Sequence, residues 1–141
     1  VRLLRGPRYS PQELSTLAWA SAILGVDNPE LSSALAEQAI VQINGFKVQE
    51  LLLVAWGTAA SASDAELSCA IQDEVVSRLQ QFDVDRCPER VRKAFASATL
   101  GVLWAYNFAG LLSHDLVALA HGALLRIGMT LDIDHGSLCL G

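Results

Sequence analysis

Three histidines, three cysteines and one run of alternating acids are the residues of this chain whose types suit metal binding or nucleophilic chemistry. His114 and His121 are seven residues apart, so on a helix they share a face but lie two turns from each other. An ion held by both needs a third ligand midway, and the chain places Val117 and Ala118 there. Asp132-Ile133-Asp134-His135-Gly136 alternates acids as a calcium loop does, but lacks the acidic residue that closes such a loop. Cys69, Cys87 and Cys139 are odd in number and widely spaced, which fits neither a disulfide framework nor a zinc site. Cys69 falls on an apolar helical position and reads as a small core residue. There is no nucleophile elbow and no glycine-rich phosphate loop. The expectation is a non-enzyme with no cofactor and no metal.

Basic residues gather at Arg2, Arg5 and Arg8 and again at Arg86, Arg90, Arg92 and Lys93. The second cluster supplies the candidate RNA contacts. The formal net charge is −5. Phosphate neutralisation provides most nucleic-acid affinity, so the overall balance favours protein partners. The chain is 52% hydrophobic and 18% charged, with mean hydropathy +0.34. It is too apolar to be disordered and has apolar surface to spare for a partner, further repeats or lipid. Its Arg-rich start is followed by Pro7 and Pro11 instead of an apolar run, so no secretory signal is visible. The three cysteines suit a reducing compartment. The opening at Val1 is expected to mark a piece of a longer polypeptide.

The elements that carry these residues repeat. Tyr9-Ser10-Pro11-Gln12-Glu13-Leu14 through Ala18-Trp19 returns about 37 residues later as Phe46-Lys47-Val48-Gln49-Glu50-Leu51 through Ala55-Trp56. Glu30-Leu31-Ser32-Ser33-Ala34-Leu35 returns as Glu66-Leu67-Ser68-Cys69-Ala70-Ile71. Self-similarity at this period points to stacked helical hairpins. Ser10-Pro11-Gln12-Glu13 starts a first helix, which ends at the turn Gly25-Val26-Asp27-Asn28-Pro29. A second helix carries Leu31, Leu35, Ala39 and Ile43 and stops at Asn44-Gly45, with a left-handed glycine cap. A third runs from about Lys47 to Ala60 and is apolar on all sides after Glu50, as a sandwiched element must be. Ser63-Asp64-Ala65-Glu66 is a capping box for the fourth.

Phe82 stands where Tyr9 and Phe46 stood, but the tryptophan due near position 92 comes late, as Trp104. Pro88-Glu89 starts the fifth helix, and Ser113 caps a sixth that Gly128 should end. The expected fold is all-α: a single 1–141 module, an α-solenoid of three antiparallel hairpins over 9–45, 46–81 and 82–128. The third hairpin has an insertion, and 129–141 forms an irregular tail. Tyr9, Phe46 and Phe82 should mark the junctions. Trp19, Trp56 and Trp104 should be buried wedges, so Trp56→Ala should unfold the array.

The two copies of the Gln-Glu-Leu…Ala-Trp string, together with Ser10 to Ala22 and Val48 to Ala59, resemble octotricopeptide-type repeats. They also resemble the related repeats beside RAP and FAST-kinase-like domains of algal, dinoflagellate and apicomplexan organellar proteins. The resemblance covers Tyr9 to Phe82 well and Gly101 to Ile127 loosely. It implies an α-solenoid in a plastid or mitochondrion that binds single-stranded RNA in transcript processing or ribosome assembly. The second reading is a protein–protein scaffold within a large organellar complex, without RNA contact. The uncharged run 94–112 is long enough to raise membrane contact, with Arg92 and Lys93 ahead of it. Ser97, Thr99, Tyr106, Asn107 and a central Trp104 favour burial between hairpins instead.

Overall fold

The computed structural model describes residues 8–26, 28–59, 65–83 and 85–135. These form an all-α fold of six helices: α1 (Pro11–Leu24), α2 (Pro29–Val41), α3 (Val48–Ala59), α4 (Ala65–Gln81), α5 (Glu89–Ala109) and α6 (His114–His135). The helices form two layers. In one, α3 packs between α1 and α5; in the other, α4 packs against α2 and α6. Contacts of α1 with α2, α3 with α4, and α5 with α6 join the layers.

The helix starts follow from local chemistry. Ser10 accepts the Glu13 N–H while the Glu13 carboxylate accepts the Ser10 N–H at 2.8 Å, a reciprocal cap with Pro11 in the first turn. The Lys47 N–H donates to Glu50 at 2.8 Å, which repeats half of that cap at the matching place in α3. Asn28 caps α2 through the Glu30 and Leu31 amides, and Ser113 caps α6 through Leu116. The capping box proposed at Ser63 to Glu66 falls partly outside the described residues.

Within each of the first two pairs, the second helix returns to the start of the first. The Tyr9 N–H donates to the Gln38 side chain at 2.9 Å, and the Gln42 amide donates to the Tyr9 carbonyl at 2.8 Å. One repeat later, the Arg78 guanidinium donates to the Phe46 carbonyl. Gln42 and Arg78 are 36 residues apart, as Leu31 and Leu67 are, so corresponding positions hold Tyr9 and Phe46. These aromatics differ in depth. Phe46 is buried, while Tyr9 and Phe82 are half-buried, Phe82 stacking on Phe95 with ring centroids 4.3 Å apart.

The core lies between the layers and includes Leu14, Ala18, Leu51, Val54, Ile71, Val75, Val102, Leu116 and Ile127. The buried triplet Leu51, Val54, Ala55 of α3 recurs as Phe95, Ala98, Thr99 of α5, 44 residues on. The interval from Leu14 to Leu51 is 37, so α5 stands seven residues late in the series; the link 82–88 is only one residue longer than 42–47, and the shift is taken up mainly by a longer α4 and an earlier start of α5. Leu100, and not Trp104, is therefore the counterpart of Trp56.

Four expectations are corrected. Trp19, Trp56 and Trp104 are 41%, 39% and 65% exposed and are not wedges: Trp19 and Trp56 each stand one residue past a buried alanine, which turns the side chain about 100° out of the core, and Trp104 lies with Leu100 and Phe108 on the side of α5 opposite its buried stripe. Cys69 is exposed, on the side of α4 away from Ile71 and Val75. The α2 helix ends at Val41 in a 3₁₀ turn over Ile43–Gly45, so Gly45 makes no left-handed cap; that conformation belongs to Gly25 and Gly110. Gly128 does not stop α6, which runs to His135 and takes in part of the expected tail.

Candidate functional site

The four basic candidates do not form one patch. Arg86 is exposed in the turn before α5 and pairs with Asp83 at 3.2 Å. Arg90 and Lys93 are exposed on the first turns of α5, and Lys93 pairs with Glu89 at 3.0 Å. Arg92 is 6% exposed and donates to the Cys87 carbonyl at 2.7 Å, which pins the turn to the helix. Its chemistry is structural. The exposed ion pairs are worth little individually and leave part of the cationic charge locally balanced.

A different surface stands out. On α5, Leu100, Trp104 and Phe108 recur every fourth residue and are 47%, 65% and 83% exposed. A helix presents such residues as one stripe. The opposite stripe of α5, Phe95, Val102 and Tyr106 among it, is core. Trp56 on α3 and Trp19 with Ile23 on α1 occupy the matching outward positions of the same layer. Monomeric proteins seldom expose so many large apolar groups together, and aromatic residues dominate interface energetics. Beside Trp104, a cleft of about 270 Å³ is lined by Leu100, Leu103, Asn107, Leu112 and Val117. The signal for this surface was present in the sequence as the Leu100, Trp104, Phe108 spacing. A chain apolar on both stripes of one helix does not say which stripe is inside.

Polar groups inside the fold serve architecture. Gln72 is buried and donates to Ser68 Oγ at 3.0 Å and to the Leu111 carbonyl at 2.9 Å, while its carbonyl accepts the Ser113 N–H at 2.8 Å. It thereby ties α4 to the turn between α5 and α6. Among the described residues, the Tyr106 and Thr99 hydroxyls are buried without a hydrogen-bond partner. Burial, with a smaller contribution from Cys69, raises the Tyr106 hydroxyl well above the usual phenol range. The backbone N–H and hydroxyl of Ser10 lower the Glu13 carboxyl.

Among the described residues there is no group of three or more His, Cys, Asp or Glu able to hold a metal ion. His114 and His121 are both exposed. The residues Asp132 to His135 lie on α6, and their side chains are outside the described set. No helix among the described residues is long and apolar enough to cross a membrane. Compared with known protein families, with curated proteins and with solved structures, the chain matches none.

Proposed function

We propose that this chain is a non-catalytic α-solenoid module of three helix pairs that binds a protein partner on the outward face of α1, α3 and α5. The observation that carries the reading is the exposed Leu100, Trp104, Phe108 stripe, with Trp56 and Trp19 at matching positions of the layer. Its complement is an amphipathic helix with apolar groups at every third or fourth residue, laid along the stripe. The first unit, Tyr9 to Phe46, contains Glu13, Asp27, Glu30 and Glu37 and no Lys or Arg, so a partner with a basic rim is favoured there. The octotricopeptide-type resemblance suggests the setting: an organellar RNA-processing or ribosome-type assembly, in plastid or mitochondrion.

The test separates protein from RNA as the primary contact. The tagged protein and its Trp104→Ser/Phe108→Ser variant are recovered from an organellar extract with and without ribonuclease. Co-purifying subunits that survive ribonuclease and are lost with the double variant support the reading. Association that ribonuclease abolishes and the variant retains overturns it in favour of direct RNA binding through Arg86, Arg90 and Lys93. Filter binding of a single-stranded RNA would then weaken with salt.

A further inference from the structure

We infer that the hollow between α2 and the start of α4 takes an arginine or lysine side chain from a Lys/Arg-rich segment of a partner protein. The hollow, of about 440 Å³, is lined by Ser33, Ala36, Glu37, Ile40 and Val41 of α2 and by Glu66 of α4. It lies in the layer of α2, α4 and α6, at the junction of the first helix pair with the second. The outward tryptophans belong to the other layer, so what binds them has no part in this site.

The repeat accounts for the space. Ser32 and Ala36 of α2 stand 36 residues before Ser68 and Gln72 of α4. On α4 the Gln72 side chain donates to Ser68 Oγ at 3.0 Å and to the Leu111 carbonyl at 2.9 Å, and accepts the Ser113 N–H just ahead of α6. It thereby fills the junction of its helix with the next corner. On α2 the serine is kept, but a methyl group stands in place of the glutamine side chain. The junction of α2 with α4 is short of one long, hydrogen-bonding side chain, and the hollow is where that chain would lie.

The lining selects the occupant. Its floor is apolar: Ala36, Ile40 and Val41, the last 66% exposed. Glu37 and Glu66, one from each helix, add two exposed carboxylates. Their counterparts at the junction of α4 with α6 are Asp73 and His114, so the paired acids belong to the first junction. The surrounding charge has the same sign. Helix α2 has no lysine or arginine, and the one on α4, Arg78, already pairs with Glu74 at 2.8 Å. Helices α1, α3 and α5 are balanced by contrast, with Glu13, Glu50 and Glu89 against Arg90, Arg92 and Lys93. A long basic side chain satisfies both features, since its methylenes cover apolar surface while its head stays with the carboxylates. A guanidinium offers five donors in a planar fork and can serve both acids. An apolar side chain would strip water from the two carboxylates without replacing it, and a nucleic-acid phosphate would be repelled.

The test uses the full chain and a fluorescein-labelled peptide of alternating arginine and serine, read by fluorescence anisotropy at low ionic strength. The wild type is expected to bind with a Kd of about 10 μM that weakens as salt is added. Ala36→Gln builds the Gln72 side chain into the hollow beside Ser32 and should lower affinity at least about tenfold with no change of charge. Glu37→Gln/Glu66→Gln should lower it as much. Asp73→Asn/Asp115→Asn removes the same charge from the same layer outside the hollow and should lower affinity by less than about threefold. Trp104→Ser/Phe108→Ser should bind as the wild type does, so failure of the aromatic face and failure of this site are read apart. Circular dichroism checks helicity in each variant, and the exposed Glu37 and Glu66 positions keep the test open if Ala36→Gln does not fold. Four results overturn the assignment: a wild type that does not bind the peptide, both hollow variants binding as the wild type does, a charge-matched control that loses as much as they do, or loss of binding with Trp104→Ser/Phe108→Ser. The third would leave only diffuse attraction to an acidic surface.

Discussion

Gly57→Ala offers the sharpest check on the packing, because a second glycine serves as its control. The new methyl would sit 2.5 Å from the Ala18 carbonyl oxygen and 2.6 Å from its carbonyl carbon. Both are backbone atoms and cannot rotate away, so α1 and α3 must part by roughly 1 Å to restore ordinary contact. Overpacking of this kind costs about 1–3 kcal/mol. Replacing a mid-helix glycine by alanine returns about 1 kcal/mol of helix propensity. The expected net loss is about 1 kcal/mol, reaching about 2 if the layer cannot relax. At Gly101 the same methyl meets Leu52 Cδ1, the end of a half-buried, rotatable side chain. There the propensity gain survives largely intact, and Gly101→Ala should be neutral or stabilising by up to about 1 kcal/mol. Urea unfolding followed by circular dichroism reads both, with stability compared at equal slope. A Gly57→Ala protein as stable as Gly101→Ala would refute the close α1–α3 approach.

Three further outcomes follow from particular contacts. Gln72→Leu leaves the Leu111 carbonyl and Ser113 N–H without their partner and should cost about 2–3 kcal/mol in the same unfolding assay, whereas a cost near zero would mean the clamp is not formed. Tyr106→Phe removes a buried hydroxyl that has no partner and should stabilise by up to about 1 kcal/mol. Because burial raises the folded-state pKa of Tyr106, its neutral form stabilises the protein fully below about pH 10 and that stability is lost as pH rises beyond it; the Phe variant should lack this part of the alkaline loss in a pH series of thermal melts. Trp56→Ala, at a side chain 39% exposed, should cost about half of the 3–5 kcal/mol of a fully buried aromatic, so a cooperative melt persists at lower temperature; a fully unfolded variant would restore the wedge role.

The all-helical class, the order of six helices and the starts of α1, α2, α5 and α6 were legible from caps and apolar periodicity. Pro11, Asn28, Pro88 and Ser113 announce their helices through local backbone chemistry, which does not depend on the rest of the fold. Helix ends were less legible: Gly128 lies inside α6, since packing of Ala123 and Ile127 outweighs the propensity cost of one glycine. The tryptophans were misread for a related reason. Their periodicity reports equivalent positions, and equivalence holds for an outward row as well as for a buried one. The basic cluster was visible as composition, but Arg92 could be separated from Arg90 and Lys93 only once the turn before α5 was seen to fold onto it.

The Gln72 clamp has no equivalent on α2 or α6, where the corresponding residues are Ala36 and Ala120. Two of its three hydrogen bonds, to the Leu111 carbonyl and from the Ser113 N–H, join α4 to the α5–α6 corner, while the third, to Ser68, steadies the side chain within α4. The junction of α4 with that corner thus hangs on one side chain, whereas the opening of α1 shares the same duty between Gln38 and Gln42.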